Sequence, residues 1–344
     1  MMEQDWFATG RLRINLPLMS PNEMNSEPTP LLNRRQAISA TGLLAGGAAL
    51  AAASGSVRAD HHKKAKAFRF GLNMSTIRGH NLDAAEEIEV AGKVGYQCIE
   101  PWFRKIGDYV KSGGKLKDLK KRIDDQGLTV ESAIGFAAWI VDDAEKRAKG
   151  FEDAKRDMDT IAQLGGKRIA APPAGVSRKD PPVDPMRAAE RYHELCELGD
   201  KMGVVPQIEM WGGHPCIGTV GKAVSIMIES GHPSACFLGD VYHTYKGGSH
   251  FGGLKHIPGR AIQTFHMNDY PADPPRETIR DEHRVYPGDG IAPMNDILRG
   301  FREVGAAPVL NLELFNKSYW KQPVMEVAKT GLRKMKEAVA KAGV

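Results

Sequence analysis

The chain has 344 residues, 42% of them hydrophobic and 26% charged, which is the composition of a globular protein long enough to bury a full core. Its net charge of +5 is small, and lysine-rich stretches such as KSGGKLKDLKK are typical of solvated helix faces. Charge therefore gives no reason to expect nucleic acid as a partner, and no segment beyond the amino-terminal region is apolar for long enough to span a bilayer.

The amino-terminal region has the features of an export signal. Arg34 and Arg35 stand side by side, a mildly apolar run rich in Ala and Gly follows, and the tripeptide VRA ends at Ala59. This order resembles a twin-arginine signal peptide with an A-x-A-like cleavage site near Ala59, although Val replaces the first Ala of that pattern. We therefore expect the twin-arginine export machinery to carry the protein to the periplasm.

Three regions are predicted from this signal: residues 1–59 as an N-terminal region that contains the signal peptide, 60–67 as a linker, and 68–344 as one domain. A membrane anchor is the alternative at the amino terminus, but the apolar run 37–53 is short and rich in glycine for a spanning helix. Export would place four cysteines in an oxidising compartment. Three of them lie in apolar strand-like or helical patterns, where buried free thiols are common, so we do not expect a disulfide framework.

From residue 68 onward, short apolar runs alternate with longer segments of helical period. Eight runs predict strands, at 68–75, 97–103, 128–136, 167–173, 204–211, 235–243, 261–269 and 308–315. Several intervening segments end in Gly just before the next strand, as helices commonly do. Eight such units predict a (β/α)8 barrel. A doubly wound open sheet would give the same alternation, but no glycine-rich dinucleotide fingerprint follows the first strand.

Candidate metal ligands stand at the ends of four consecutive predicted strands, where the chemistry of a barrel gathers. These residues are Glu209, Asp240, His266 and Glu313. Alone, Asp240 could cap the next helix and His266 could be a core histidine. Together, ionisable groups that converge inside an apolar barrel would be costly to desolvate, and one divalent ion would offset that cost. Three carboxylates and one imidazole favour Mn²⁺, Mg²⁺ or Co²⁺ and permit Zn²⁺.

The order of these residues resembles the sugar phosphate isomerase/epimerase superfamily of xylose-isomerase-like TIM barrels. The resemblance covers residues 68–344 and rests mainly on GDVYH, which contains Asp240 and His243, and on R-x-x-PGDG, which begins at Arg284. It implies an enzyme of carbohydrate metabolism that binds one divalent ion, with Mn²⁺ as the first choice. A small-molecule sugar is then the expected partner, and the sequence leaves open whether the protein forms a homo-oligomer.

The resemblance also implies a reaction. Glu209 and Glu313 would face opposite sides of a keto-sugar, so that one removes the proton beside the carbonyl and the other returns it, through an enediolate. His243 and Arg284 match positions that hold substrate oxygens. We therefore expect a sugar isomerase or epimerase. A dehydratase or lyase of a keto-sugar or keto-inositol, and a sugar-binding barrel without turnover, are the alternatives.

Other polar residues near the predicted mouth have less certain roles. Glu100, Trp102 and His214 follow the second and fifth strands, where they could contact a sugar or support residues that do. Asp269 could orient His266 or cap a turn.

A long, charged and proline-rich segment, 270–290, separates the last two strands and suggests a lid or a specificity element. It contains the pair Asp281-x-His283, which resembles a ligand pair of related endonuclease barrels. Those enzymes need further histidines after the second and third strands, where this chain has EPWF and AIGF. Nuclease activity is therefore not favoured.

Overall fold

Eight parallel strands form a single sheet in the computed structural model, which describes residues 67–344. The strands are β1 Arg69–Asn73, β2 Cys98–Glu100, β3 Thr129–Val130, β4 Arg168–Ala171, β5 Val205–Glu209, β6 Cys236–Asp240, β7 Ile262–Met267 and β8 Val309–Leu312. They lie side by side in the order β3-β2-β1-β8-β7-β6-β5-β4. The predicted α/β barrel fold is confirmed, whereas the predicted signal peptide and residues 60–66 of the linker lie outside the described residues.

The helices occupy the connections between the strands. They are α1 Ala84–Val94, α2 Phe103–Lys111, α3 Leu116–Asp125, α4 Ala144–Gln163, α5 Pro185–Met202, α6 Val220–Glu229, α7 Val241–Lys246, α8 Met294–Glu303 and α9 Val324–Ala342. The connection from β2 to β3 contains two helices, α2 and α3, and the connection from β6 to β7 contains the short α7 and two 3-10 turns.

Several helix ends follow signals that are visible in the sequence. Asp83 caps α1 in a reciprocal capping box with Glu86, and Asp184 accepts two backbone N–H groups at the start of α5. Gly95 and Gly203 end α1 and α5 with φ angles of 92° and 68°, a left-handed conformation that favours glycine. These glycines explain why the helical segments stop just before the next strand.

The sheet closes through irregular chain between β3 and β4. The third strand was predicted over 128–136, but continuous ladder pairing is limited to Thr129–Val130. Pairing resumes at an isolated parallel bridge between Trp102 and Ile134, where Ile134 N–H donates to Pro101 O at 2.9 Å. Ala170 N–H donates to Ala133 O at 2.9 Å, and the Arg168 guanidinium lies 3.1 Å from a Glu131 carboxylate oxygen. These contacts join the two edges of the sheet, so the carboxyl ends of the strands surround one mouth.

A polar layer inside the barrel lies below that mouth. Thr264 Oγ1 donates to Gln207 Oε1 at 2.8 Å, and Gln207 Nε2 donates to Ser132 Oγ at 3.1 Å. Alternate residues of a strand share one face. Glu209 and His266, two residues further along β5 and β7, therefore point inward one layer higher, at the carboxyl end of the barrel.

All four cysteines are free and buried. Cys216, which lies in a loop, is held by a contact of 3.4 Å between its Sγ and the backbone N–H of Val183. Within residues 67–344, no helix is long and apolar enough to cross a membrane.

Glu87 is an acidic side chain that is buried away from the mouth. It lies in the first turn of α1 and is only 2% exposed. Burial raises the pKa of its carboxyl from 4.5 to about 8, and the nearby Lys105 only partly offsets this. The folded protein therefore holds a proton that the unfolded chain releases near pH 4.5.

This proton predicts a dependence of stability on pH. As pH rises from about 4.5 to about 8, Glu87 should destabilise the folded state by about 1.4 kcal/mol for each unit of pKa shift. Glu87→Gln removes the charge, so its free energy of unfolding should rise relative to wild type across that window and level off above it. Urea unfolding of both proteins between pH 4.5 and 9 measures the difference. A difference that does not change with pH would contradict the assignment.

Candidate active site

Three side chains at the mouth place ligating atoms within 4.8 Å of one another: Asp240, His266 and Glu313. His266 Nδ1 lies 3.2 Å from Glu313 Oε2 and 3.8 Å from Asp240 Oδ2. This buried nitrogen has no hydrogen-bond partner among the described residues. A buried nitrogen that faces carboxylate oxygens and has no hydrogen bond is a suitable metal ligand.

Glu209 stands at the edge of this group. Its Oε1 is 3.9 Å from His266 Nδ1, and within residues 67–344 its Oε2 has no hydrogen-bond partner although it is buried. Burial raises the pKa of Glu209 to about 8, and the neighbouring carboxylates of Glu313, Glu100 and Asp240 add to the effect. The structure thus brings together the four side chains that were predicted from their positions at strand ends. We call this group of three carboxylates and one imidazole the carboxylate cluster: Glu209, Asp240, His266 and Glu313.

Asp240 combines two of the roles considered for it. Its Oδ1 accepts the backbone N–H of His243 at 2.6 Å and so caps α7, while its Oδ2 faces His266. Asn268 Nδ2 donates to the same Oδ2 at 2.8 Å. Sequence analysis missed Asn268, although its position two residues after His266 puts it on the same side of the chain.

Glu100 orients His266 from below. It is wholly buried, and its Oε2 accepts hydrogen bonds from His266 Nε2 at 2.8 Å and from Asn73 Nδ2 at 2.7 Å. Burial disfavours a charged imidazole, but Glu100 and Glu313 outweigh it and raise the pKa of His266. The expected sugar contact does not suit Glu100, which does not line the cavity. Its position fixes the imidazole so that Nδ1 faces the cluster.

Asp269 does not contact His266, which was one of the roles expected for it. Its carboxylate accepts the backbone N–H groups of Tyr270, Gly288 and Ala292 at 2.8 to 3.0 Å. Asp269 therefore caps the turn that begins segment 270–290, which is the other role expected for it.

Arg284 is a buried cation against the cluster. Its Nη1 donates to Glu313 Oε2 at 2.7 Å and to Asp240 Oδ2 at 3.0 Å, and its Nη2 donates to Asp281. Despite burial, His266 and Arg284 lower the pKa of Glu313 below its usual range. Arg284 thereby offsets the charge of two cluster carboxylates at once.

His243 lies beside Arg284 on the wall of the cavity. Its Nε2 is 3.0 Å from Arg284 Nη2, and its Nδ1 accepts the backbone N–H of Gly212 at 3.2 Å. Burial and the charge of Arg284 lower the pKa of His243, which keeps the imidazole neutral. Both His243 and Arg284 therefore lie where a substrate oxygen could reach them.

A cavity of about 570 Å³ opens above the cluster. Its lining includes Glu209, Glu313, His243 and Arg284 on one side and the aromatic rings of Trp102, Phe136, Trp211, Phe315 and Trp320. Trp102 thus lines the cavity, and its contact with a sugar stays a prediction. His214 does not line it: its Nε2 contacts Val176 O at 3.1 Å and its Nδ1 accepts Cys216 N–H at 3.2 Å. Through these two contacts, His214 holds the loop that follows β5 in place.

Segment 270–290 reaches the rim of the cavity. Arg280, Asp281 and Glu282 line it, and Glu282 forms an ion pair with Lys317. Asp281 pairs with Arg284, while His283 Nδ1 accepts Arg280 N–H at 2.9 Å. The pair Asp281-x-His283 therefore has local partners and lies apart from the metal-ligand group.

Comparison with known proteins agrees with the barrel fold. The family described as "Xylose isomerase-like TIM barrel" matches residues 88–338, and the chain belongs to that family. It is 27% identical over 270 residues to the inosose isomerase of Bacillus velezensis, with 78% of this chain and 95% of the relative covered. It is 23% identical over 201 residues to the 3-dehydro-D-guloside 4-epimerase of Escherichia coli K12, with 54% and 72% covered.

Among solved structures, the crystal structure of the IOLI protein with a bound zinc atom superposes with a TM-score of 0.74 at 23% identity. The match covers 80% of this chain and 99% of that one. At this identity, the likeness shows the shared fold.

The contact between Glu100 and His266 leads to a prediction for metal binding. Glu100→Gln keeps a hydrogen-bonding group of the same size but removes the charge that makes the imidazole a strong ligand. We expect Mn²⁺ affinity to fall by roughly 10- to 100-fold, measured by calorimetric titration of metal-free protein. Glu229→Gln, the same change on the exposed end of α6, is the control. Equal Mn²⁺ affinity in the Glu100 variant and the wild type would refute the orienting role.

Proposed function

We propose that this protein is a metal-dependent isomerase or epimerase of a small keto-sugar or keto-inositol. The observation that carries the proposal is a pair of buried carboxylates that line one cavity: Glu209 at the end of β5 and Glu313 just after β8, which lie 3.9 Å and 3.2 Å from His266 Nδ1. The names of the inosose isomerase and the guloside epimerase among the relatives support the same class of reaction.

The donor set fits a divalent ion. Asp240, His266 and Glu313 would hold it, with Glu209 as a fourth ligand, and the Nδ1 of His266 and the Oε2 of Glu209 are among the buried atoms of the described residues that have no hydrogen-bond partner. When bound, such an ion would polarise the substrate carbonyl and stabilise negative charge on its oxygen. Three carboxylates and one imidazole favour Mn²⁺, Mg²⁺ or Co²⁺ and permit Zn²⁺, and of these we propose Mn²⁺ as the first ion to test.

The chain's own residues would move the proton. One of the two glutamates takes the proton from the carbon beside the carbonyl, and the other returns a proton to the same carbon from the other face or to the neighbouring carbon. Return to the same carbon inverts a stereocentre, and return to the neighbouring carbon moves the carbonyl. His243 and Arg284 would hold the substrate oxygens, and the guanidinium would offset the negative charge that develops there.

Replacement of either glutamate tests this mechanism. Glu209→Gln and Glu313→Gln keep size and one ligating oxygen but remove the base, so turnover should fall by about 10² or more while substrate still binds. The assay incubates Mn²⁺-loaded protein with ketoses and inososes in D₂O and measures deuterium beside the carbonyl by mass spectrometry. Glu229→Gln serves again as the matched control.

Each outcome of this assay has a defined meaning. Exchange that both Gln variants catalyse as fast as wild type would overturn the two-base mechanism. Release of a dehydrated product would place the protein with lyases. Binding of sugars without any exchange would favour a sugar-binding barrel that lacks turnover.

We also propose export to the periplasm through the twin-arginine machinery, on the strength of Arg34 and Arg35 ahead of the Ala/Gly-rich run. Changing both to lysine keeps the charge but should trap the precursor in the cytoplasm. The matched control changes Arg11 and Arg13, which lie outside the paired motif, to lysine. Cell fractionation with immunodetection measures the result. Undiminished export of the Arg34/Arg35 variant would contradict this route.

A further inference from the structure

Four aromatic rings form a continuous arc along the lining of the cavity. Phe315, Trp102, Phe136 and Trp211, here called the aromatic arc, follow β8, β2, β3 and β5. Ring centroids are 6.1 Å apart between Phe315 and Trp102, 5.4 Å between Trp102 and Phe136, and 6.1 Å between Phe136 and Trp211. Each ring thus contacts the next around the rim.

The arc is open to solvent at its centre. The Phe136 side chain is 50% exposed, although the surrounding core leaves few large apolar side chains uncovered. An exposed apolar ring that lines a cavity together with other rings is typical of a ligand surface. Arg78 lies 5.3 Å from the Trp102 ring and 5.1 Å from the Phe315 ring, so its hydrogen-bond donors stand next to the apolar faces.

The arc is held in a fixed position relative to the carboxylate cluster. Trp102 Nε1 donates to Asn73 Oδ1 at 3.0 Å, and Asn73 Nδ2 donates to Glu313 Oε1 at 3.2 Å and to Glu100 Oε2 at 2.7 Å. One amide therefore connects the aromatic ring to the reacting end of the cavity. A ligand that spans both would meet a rigid, preorganised surface.

The cavity is larger than one sugar ring needs. Its volume of about 570 Å³ is in the range that holds drug-sized ligands, and a keto-sugar at the carboxylate cluster would leave the aromatic half unfilled. The arc has no carboxylate among its members, and it presents ring faces. Such faces stack with the C–H face of a sugar ring or with another aromatic ring.

We propose that the aromatic arc is a second subsite and that the substrate is a keto-glycoside, whose reacting sugar lies at the carboxylate cluster while the ring attached to it stacks on the arc. This substrate class rests on the proposed function. The attached ring is either a second sugar or an aromatic aglycone, since both present the same flat, apolar face. Phe136 is the residue on which selectivity for that ring depends most, because its face is the most exposed.

The first test measures binding without turnover. Methyl β-D-glucoside, phenyl β-D-glucoside and cellobiose share one glucose unit and lack a keto group, so they differ only in what is attached to it. Titration of the Mn²⁺-loaded full chain, followed by calorimetry or tryptophan fluorescence, should show phenyl glucoside, cellobiose or both binding about tenfold more tightly than methyl glucoside. Which of the two binds more tightly identifies the source of the ring.

Variants at the arc decide whether it is the site of this preference. Phe136→Ala should lower the ratio of affinities for the two-ring ligand and methyl glucoside to near one. Phe136→Tyr, which keeps an aromatic ring, should retain the ratio of the wild type. Ile228→Ala removes an exposed apolar side chain from α6, away from the cavity, and is the control. Equal affinity of all three glucosides in wild type would overturn the proposal. A preference that persists in Phe136→Ala would also overturn it, since the ring would then bind elsewhere.

Failure of this proposal and failure of the proposed function give different results. Deuterium exchange on free keto-sugars with no ring preference would support the proposed function and refute the subsite. A ring preference that depends on Phe136, with no exchange on any keto-sugar or keto-glycoside, would support the subsite and refute the isomerase function.

Discussion

The arrangement of the mouth depends on one electrostatic balance. Four carboxylates are almost wholly buried at the ends of β2, β5, β6 and β8: Glu100, Glu209, Asp240 and Glu313. Two side chains that can offset their charge, Arg284 and His266, lie against them. Buried carboxylates that lack partners would be costly, so the surrounding side chains have to be hydrogen-bond donors or cations. The amides of Asn73 and Asn268 and the cap of α7 follow from that requirement.

The balance is incomplete at several atoms, and two of them belong to the proposed metal ligands. The Oε2 of Glu209 and the Nδ1 of His266 are buried without hydrogen-bond partners in the described part of the chain, as are the Oε1 of Glu100 and the Nε of Arg284. Buried polar groups are rarely left in this state unless a ligand completes them. In the aromatic half of the cavity, apolar surface is left uncovered, because Phe136 is half-exposed to water. One end of the cavity is suited to charge and the other to an apolar face.

Much of the fold and of the cluster is visible in the sequence, because both depend on local pattern. Alternating apolar runs predicted the eight strands, and the rule that barrel chemistry gathers at strand ends predicted Glu209, Asp240, His266 and Glu313. What the sequence did not predict depends on contacts across the barrel. Glu100 faces His266 from a strand 166 residues away, and no local pattern distinguishes that contact from an exposed glutamate. The contact of His214 with Val176 O and the closure of the sheet through Ala133 also join separate loops or strands, so local pattern does not predict them.

The position of Arg284 links the rim of the cavity to the integrity of its floor. Segment 270–290 forms part of the rim through Arg280, Asp281 and Glu282, and the same segment carries the guanidinium that neutralises Asp240 and Glu313. The stretch that begins at Asp281 is therefore constrained by the buried charges, whereas the stretch before Arg280 is free of that constraint. Descendants of this barrel can diversify in substrate by changing the length of the first stretch, and a loop graft that extends through Arg284 would have to bring its own cation.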